Sequence, residues 1–276
     1  MKKNNLKVFL FPLGMVEYLG RLILLLYKSI VSLFTSIKQR RFPLKNTIAQ
    51  MAEIGFHSLP IIFASSLFTG MVGVVQVGYQ FEKFGAKPLI GGIIALTLAR
   101  EVGPAMTAII LAGRIGSAYA AELGSMTVTE QIDALRSIAT DPVEYLVLPR
   151  LIATCSMIIF LTLIFNFLGL MGGVIVANQL INLSPGSYFD SVIHHLQIFD
   201  IVGGLFKAFI FGAMVSIISC QEGFSTGGGA IGVGKATTRA VVQSILFILF
   251  SNLFLTIAIV NFQKSSLFEE LSKILF

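Results

Sequence analysis

An all-α integral membrane protein is the fold class this sequence predicts, and three observations predict it. Hydrophobic residues make up 55% of the 276 positions and charged residues 12%, with a mean hydropathy of +0.86. An ordinary soluble domain carries about 25% charged residues, so a chain this apolar lacks the polar groups to cover a water-facing surface. Five apolar runs are each long enough to cross a bilayer, which takes about 20 residues of helix. Between the second and third of them lies the one long run dense in charge, residues 121–150, and it reads as a short exposed helix.

The first 50 residues form the first segment, an interfacial helix with a basic anchor. Val16, Leu19, Ile23, Leu26, Ile30, Leu33 and Ile37 step by three and four, a sustained apolar stripe. Glu17 and Arg21 pair at i, i+4 on the other side, and Lys28 interrupts the run again. No stretch here is uncharged for the length of a span, so the helix is read as lying along the cytoplasm-side leaflet. A sixth span is the rival reading. The cluster Lys38, Arg40, Arg41 and Lys45 follows as an anchor against anionic headgroups.

Residues 51–262 form the membrane domain, with spans at 54–77, 89–118, 145–177, 201–220 and 240–262, and 263–276 is a tail. Lys and Arg set the orientation. Fourteen fall in the N-terminal arm, the 114–150 stretch and the approach to the last span, against four on the other side. The positive-inside bias places the N-terminus and the central helix in the cytoplasm or stroma and the C-terminus opposite. An odd number of spans requires the same.

Within 121–150, Thr127 and Glu130 have the spacing of a capping box. Val128, Ile132 and Leu135 share one face at i, i+4, i+7, while Glu130, Asp133 and Arg136 look elsewhere. Asp141-Pro142 with Glu144 starts the next helix, with Asp as N-cap and Pro in the first turn. The expected product is about three turns of amphipathic helix. Such a helix either rests on lipid or docks in a partner's groove, and spacing leaves both open.

Arg100 and Glu101 in the second span and Lys207 in the fourth are the intramembrane charges. A centred Arg costs about 2.5–3.5 kcal/mol even on the lenient insertion scale, so such residues pair or line a wet cavity. Lys207 is the available cation for Glu101, and the last span contributes Asn252 and Asn261. A structural ion pair and a transport role are both compatible with this set. Gly103, Gly113, Gly116, Ala120 and Gly124 leave notches for close approach of a neighbouring span or a second copy. Arg114, where the helix leaves the membrane, is placed to snorkel or to cap carbonyls.

Several tempting motifs carry no chemistry. The run from Gly227 to Lys235 nearly writes a phosphate-binding loop from Gly229 on, but Ala236 stands where Ser or Thr must hold Mg²⁺, and no strand precedes it. It is read as a flexible turn, and ATP hydrolysis then needs another subunit. His194 and His195 point about 100° apart on a helix, with no third ligand nearby, so they suit a surface helix opened by Ser184-Pro185-Gly186. His57 reads as a helix-packing residue. Cys155 and Cys220 sit in apolar runs as packing residues, with neither disulfide nor metal spacing. The net charge of +6 follows the membrane-side arm rather than a nucleic-acid face. Neither a cleavable signal nor a transit segment is evident, which suits a protein made where it works.

The wording of three stretches closely resembles the MlaE-type permeases, the membrane subunits of lipid-trafficking ABC transporters. They are residues 98–124, then Glu122-Leu123-Gly124 with Glu130-Gln131-Ile132-Asp133-Ala134-Leu135 and Pro149-Arg150, and finally residues 232–242. The resemblance runs from about Glu53 to Phe262. It implies a homodimer working with two ATPase subunits that use ATP-Mg, no cofactor bound by this chain, and no enzymatic activity of its own. It implies that residues 128–138 are the coupling helix, with Val128, Glu130, Gln131, Ile132, Asp133, Leu135 and Arg136 meeting the ATPase. It further implies phospholipid movement between membranes with an MCE-type lipid-binding partner. Bacterial relatives often carry an acid near Asn252, which puts a buried charge relay there in doubt. The other classes are an ion-coupled secondary transporter using Arg100, Glu101 and Lys207, which would favour internal repeats that are not found, and a non-transporting scaffold. The expected location is the plastid (chloroplast) inner envelope or a bacterial inner membrane.

Overall fold

The computed structural model describes residues 2–38 and 43–263. Arg40 and Arg41 of the basic cluster, and Lys264 and Lys273 of the tail, lie outside the described residues. Ten α-helices account for nearly all of the rest, and no strand occurs among the described residues. They are α1 (Lys2–Lys38), α2 (Leu44–Lys83), α3 (Ile90–Thr97), α4 (Gly103–Leu111), α5 (Ser117–Val128), α6 (Gln131–Ser137), α7 (Leu148–Ile181), α8 (Pro185–His195), α9 (Ile198–Phe224) and α10 (Gly229–Gln263). Six stretches among them are long and apolar enough to cross a membrane. Five match the predicted spans, and the sixth is Val16–Ser36 of α1.

The second of the predicted spans falls within Lys87–Val128, a helical stretch that changes winding twice. Leu98–Val102 and Ala112–Gly116 are π-helical turns separating α3, α4 and α5. A third π turn, Val143–Val147, leads into α7. Each inserts one extra residue into the ladder and re-aims the side chains that follow, and such turns collect at functional sites.

The chain forms two compact units that interleave along the sequence rather than following it in consecutive blocks. The first comprises residues 1–53, 112–154 and 213–244. Its core includes Tyr119, Leu123, Leu148 and Cys220, all buried. α1 packs into this unit through Leu22, Leu25, Ser29 and Ser36. The predicted stripe is not that packed face: Val16, Ile23, Leu26 and Ile30 stay exposed. The reason is visible in the ties of α1. The Tyr18 hydroxyl donates to Gln243, and the Ser36 hydroxyl donates to Glu144, which orients the helix by its polar side.

The second unit comprises residues 54–111, 155–212 and 245–276. Backbone-to-backbone approach at glycine builds it. A Cβ at Gly70 would run into the backbone of Gly169, and one at Gly172 into the Leu67 carbonyl, so α2 and α7 cross without side chains between them. A Cβ at Gly91 would strike the Tyr188 carbonyl, and the amide of Gly92 donates to Ser191 Oγ at 3.0 Å, which seats α8 on α3. The Ser184-Pro185-Gly186 start is as read: Ser184 is extended and its side chain accepts from the Ser187 amide.

Candidate functional site

The intramembrane charges meet in the second unit. A Cβ at Gly204 would collide with the Ala99 carbonyl, so α9 lies directly against the π turn at Leu98–Val102. Lys207, nearly one turn along α9, then reaches the side chain of Glu101, with Nζ 2.7 Å from Oε1. The same ammonium donates to the Arg100 carbonyl at 3.0 Å and to Thr256 Oγ1 at 2.8 Å. The other oxygen of Glu101 accepts from Asn252 Nδ2 at 3.0 Å. Arg100 points away from this set, as neighbours on a helix must. Its guanidinium takes Asp200, at 2.6 Å to Oδ1.

Burial makes these contacts matter. The Lys207 and Asp200 side chains are 2% and 1% exposed, and an ion that deep is tolerated only when paired and hydrogen-bonded. Asp200 serves twice, because its second oxygen accepts the amide of Gln197 at the start of α9. A carboxylate there also suits the positive end of the helix. A small cavity of about 20 Å³ between the two ion pairs, lined also by Gly203 and Ile259, has room for one water.

Sequence reasoning paired Lys207 with Glu101 and offered Asn252, but it missed Asp200 and Thr256. Asp200 stood at the end of a loop, where an acid in a helix's first turn was its only signal. Thr256 carried none, since a lone Thr in an apolar span is ordinary. Among the described residues Asn261 makes no hydrogen bond to this cluster, and the glycines offered as notches behave differently from one another. Gly116 is buried, Gly124 faces Thr226, and a side chain at Gly113 would meet open space.

The exposed 121–150 stretch belongs to the first unit and departs from its expected form. α5 runs to Val128, and α6 is only Gln131–Ser137, so 128–138 is not one helix. The capping box does not form. Thr127 Oγ1 donates to the Leu123 and Gly223 carbonyls instead, and Glu130 takes a left-handed φ of 61° with no side-chain cap. Ala139 closes the other end at φ 57°. Ile132 is buried, Leu135 and Val128 are half-buried, and Glu130, Gln131, Asp133 and Arg136 are exposed. Asp133 and Arg136 pair on the surface at 2.9 Å. Asp141 does cap the next helix, accepting the Val143 amide at 2.9 Å, while Glu144 turns to Ser36.

Two further ion pairs brace this unit. Arg150, 5% exposed, binds Glu122 at 2.7 Å and lies over the Tyr119 ring, and buried Glu222 binds Arg239 at 2.7 Å. Arg114 reaches Glu53 at 3.6 Å. The glycine run expected as a flexible turn is instead mostly the first two turns of α10, with Gly228 and Gly229 at positive φ closing the bend before it. His195 is tied to the Ser191 carbonyl at 2.9 Å, and both cysteines are buried thiols.

Comparison with known proteins places the chain in a family. The sequence model of one family, Permease MlaE, matches residues 47–258. A probable ABC transporter permease protein of Synechocystis sp. is 44% identical over 223 residues, 81% of this chain and 85% of that protein. The chloroplastic protein trigalactosyldiacylglycerol 1 of Arabidopsis thaliana is 41% identical over 212 residues, 77% of this chain and 61% of that protein. A probable ABC transporter permease protein of Porphyra purpurea is 35% identical over 218 residues, 78% and 83%. A match across most of the chain, with relatives this similar over most of their own length, makes this multi-pass membrane protein a member of the MlaE family of ABC transporter permeases.

Proposed function

We propose that the chain is the permease of a lipid-moving ABC transporter, with phospholipids as cargo and ATP hydrolysed by a separate ATPase subunit. The observation that carries the reading is α6. It is a two-turn helix held by one buried anchor, Ile132, with a charged and polar outer surface and both ends closed by left-handed residues. A short stiff element of that kind transmits a push from a docked partner to the helices it joins. Residues 128–138, with Val128, Glu130, Gln131, Ile132, Asp133, Leu135 and Arg136, are the coupling segment in this reading. ATP-Mg belongs to the partner.

Lipid as cargo is supported by the Arabidopsis relative, whose name is that of a glycerolipid. The chain works as a homodimer, with an MCE-type protein receiving or delivering lipid on the far side. α1 lies along the cytoplasm-side leaflet. That placement is supported by its ties to Glu144, at the start of a span, and to Gln243, near the start of the last one. The plastid inner envelope or a bacterial inner membrane is the location that the relatives suit. The Lys207–Glu101 pair favours one second reading, an ion-coupled transporter that runs without ATP.

Copurification tests the first reading. The wild-type chain brings down an ATPase, and Leu135→Asp loses it while α7 and α9 keep their helical signal. An ATPase retained in full by Leu135→Asp removes α6 from the coupling role. Lipid transfer by purified permease with no nucleotide-hydrolysing companion decides for the second reading.

A further inference from the structure

The first unit holds a cavity of about 650 Å³, well within the size range of small-molecule sites, about 300–1,000 Å³. One wall is a stripe of α1, and the other is the chain around Arg136 and Asp141 with the end of α9. Arg21 and Lys28, two turns apart on α1, face it together with Arg136. Two acids also line it, and both are already engaged. Asp141 accepts the Val143 amide, and Glu144 accepts the Ser36 hydroxyl.

The cations are held loosely by comparison. Among the described residues Arg21 pairs with Glu17 alone, one turn back on its own helix, and Arg136 with Asp133 alone in the same manner. Both are solvent-exposed pairs, readily traded for a stronger anion. Lys28 makes no ion pair among the described residues. Ser32 lines the cavity as well, and its covered hydroxyl has no hydrogen-bond partner among the described residues, whereas Ser29 and Thr35 on the same helix bond the carbonyl four back. Alongside, Leu24, Tyr27 and Val31 present exposed apolar surface.

The geometry points to a binding site for an anionic glycerolipid, its phosphate or sulfonate headgroup held by Arg21, Lys28 and Arg136 and its chains laid along α1. A polyanionic protein surface would match the cations but not the exposed apolar stripe of Leu24, Tyr27 and Val31 beside them. Because Arg136 closes α6, the bound lipid ties membrane composition to the coupling segment. This inference rests on the reading of α1 as an interfacial helix.

The test uses the full chain in nanodiscs of phosphatidylcholine, with and without phosphatidylglycerol, followed by mass spectrometry of lipid retained through detergent washing. Retention of phosphatidylglycerol over phosphatidylcholine is expected. A surface cation near anionic lipid contributes about fivefold, so Lys28→Gln lowers retention by about that factor and Arg21→Gln/Lys28→Gln by about twenty-five-fold. Lys28→Arg restores it. Retention that is equal for both lipids, or unchanged in the double variant, overturns the site. So does displacement of the lipid by inorganic phosphate, or a double variant that keeps its lipid and loses its ATPase. Depth-dependent quenching of a fluorophore on Ile23→Cys and on Phe34→Cys separates the two layers of the argument. Equal depths support the placement of α1 whatever the lipid does. Depths differing by about 16 Å, the rise of 11 helical residues, overturn that placement and the site with it.

Discussion

The ammonium of Lys207 gives its three protons to three acceptors: Glu101 Oε1 at 2.7 Å, Thr256 Oγ1 at 2.8 Å and the Arg100 carbonyl at 3.0 Å. An ammonium has three donors and no more, so this buried charge has no unmet bond. Glu101→Gln removes the counter-charge while keeping the shape. It is expected to destabilise the protein by about 1–3 kcal/mol, below the range for a fully buried pair because the carboxylate is 36% exposed. Lys207→Met added to it recovers part of the loss. Thermal unfolding of the two single variants and the double in detergent checks this, and strictly additive losses show the pair to be uncoupled.

Thr256 is the less obvious member of the cluster. It accepts from Lys207 and lies 3.0 Å from Glu101 Oε1, so Thr256→Val leaves the shape and removes the link. A loss of about 1–2 kcal/mol is expected, with Thr256→Ser close to wild type. Unfolding midpoints of the two variants under one detergent condition distinguish a bonding role from simple packing.

Glycine positions separate by what lies beside them. Gly204→Ala drives a methyl into the Ala99 carbonyl and is expected to cost about 1–3 kcal/mol, separating Lys207 from Glu101. Gly113→Leu meets open space within the chain and leaves the fold intact. Under the homodimer reading it weakens self-association instead, which size-exclusion chromatography with light scattering measures alongside the melting point.

The helices were legible because their signals are local. Apolar runs of span length, and a Ser-Pro-Gly start such as 184–186, need no knowledge of the rest of the fold. Lys207 with Glu101 was legible because few charges compete for a partner in an apolar interior. The Arg100–Asp200 pair was not, since Asp200 reads as a loop-end acid rather than as a residue of a span. The capping box failed for a related reason. Thr127 has the right neighbour in sequence, but the Gly223 carbonyl, 96 positions away, takes part of its hydroxyl and α5 continues past it. π turns leave no sequence period to read, so the register of Arg100 and Glu101 emerged only from the structure.

Left-handed backbone at both ends of α6 falls on Glu130 and Ala139 rather than on glycine. For an L-residue that conformation costs about 1–2 kcal/mol, more than the freedom glycine adds to the unfolded chain. Ala139→Gly is therefore expected to stabilise the protein by about 0.5 kcal/mol, read from its unfolding midpoint. If stiffness of this corner serves coupling, the same variant lowers ATPase-driven transport while raising the melting point.

α10 has the opposite character, for only 6% of its most apolar window is buried within the chain. Leu246, Leu249, Phe250, Leu253 and Phe254 all look outward, and Asn252 and Thr256 are its polar grip on Glu101. A helix so apolar and so little buried within the chain is one that lipid can surround on most of its sides. Assembly of the second unit then includes a latching step, in which two modest side chains recognise a carboxylate on the π turn at Leu98–Val102.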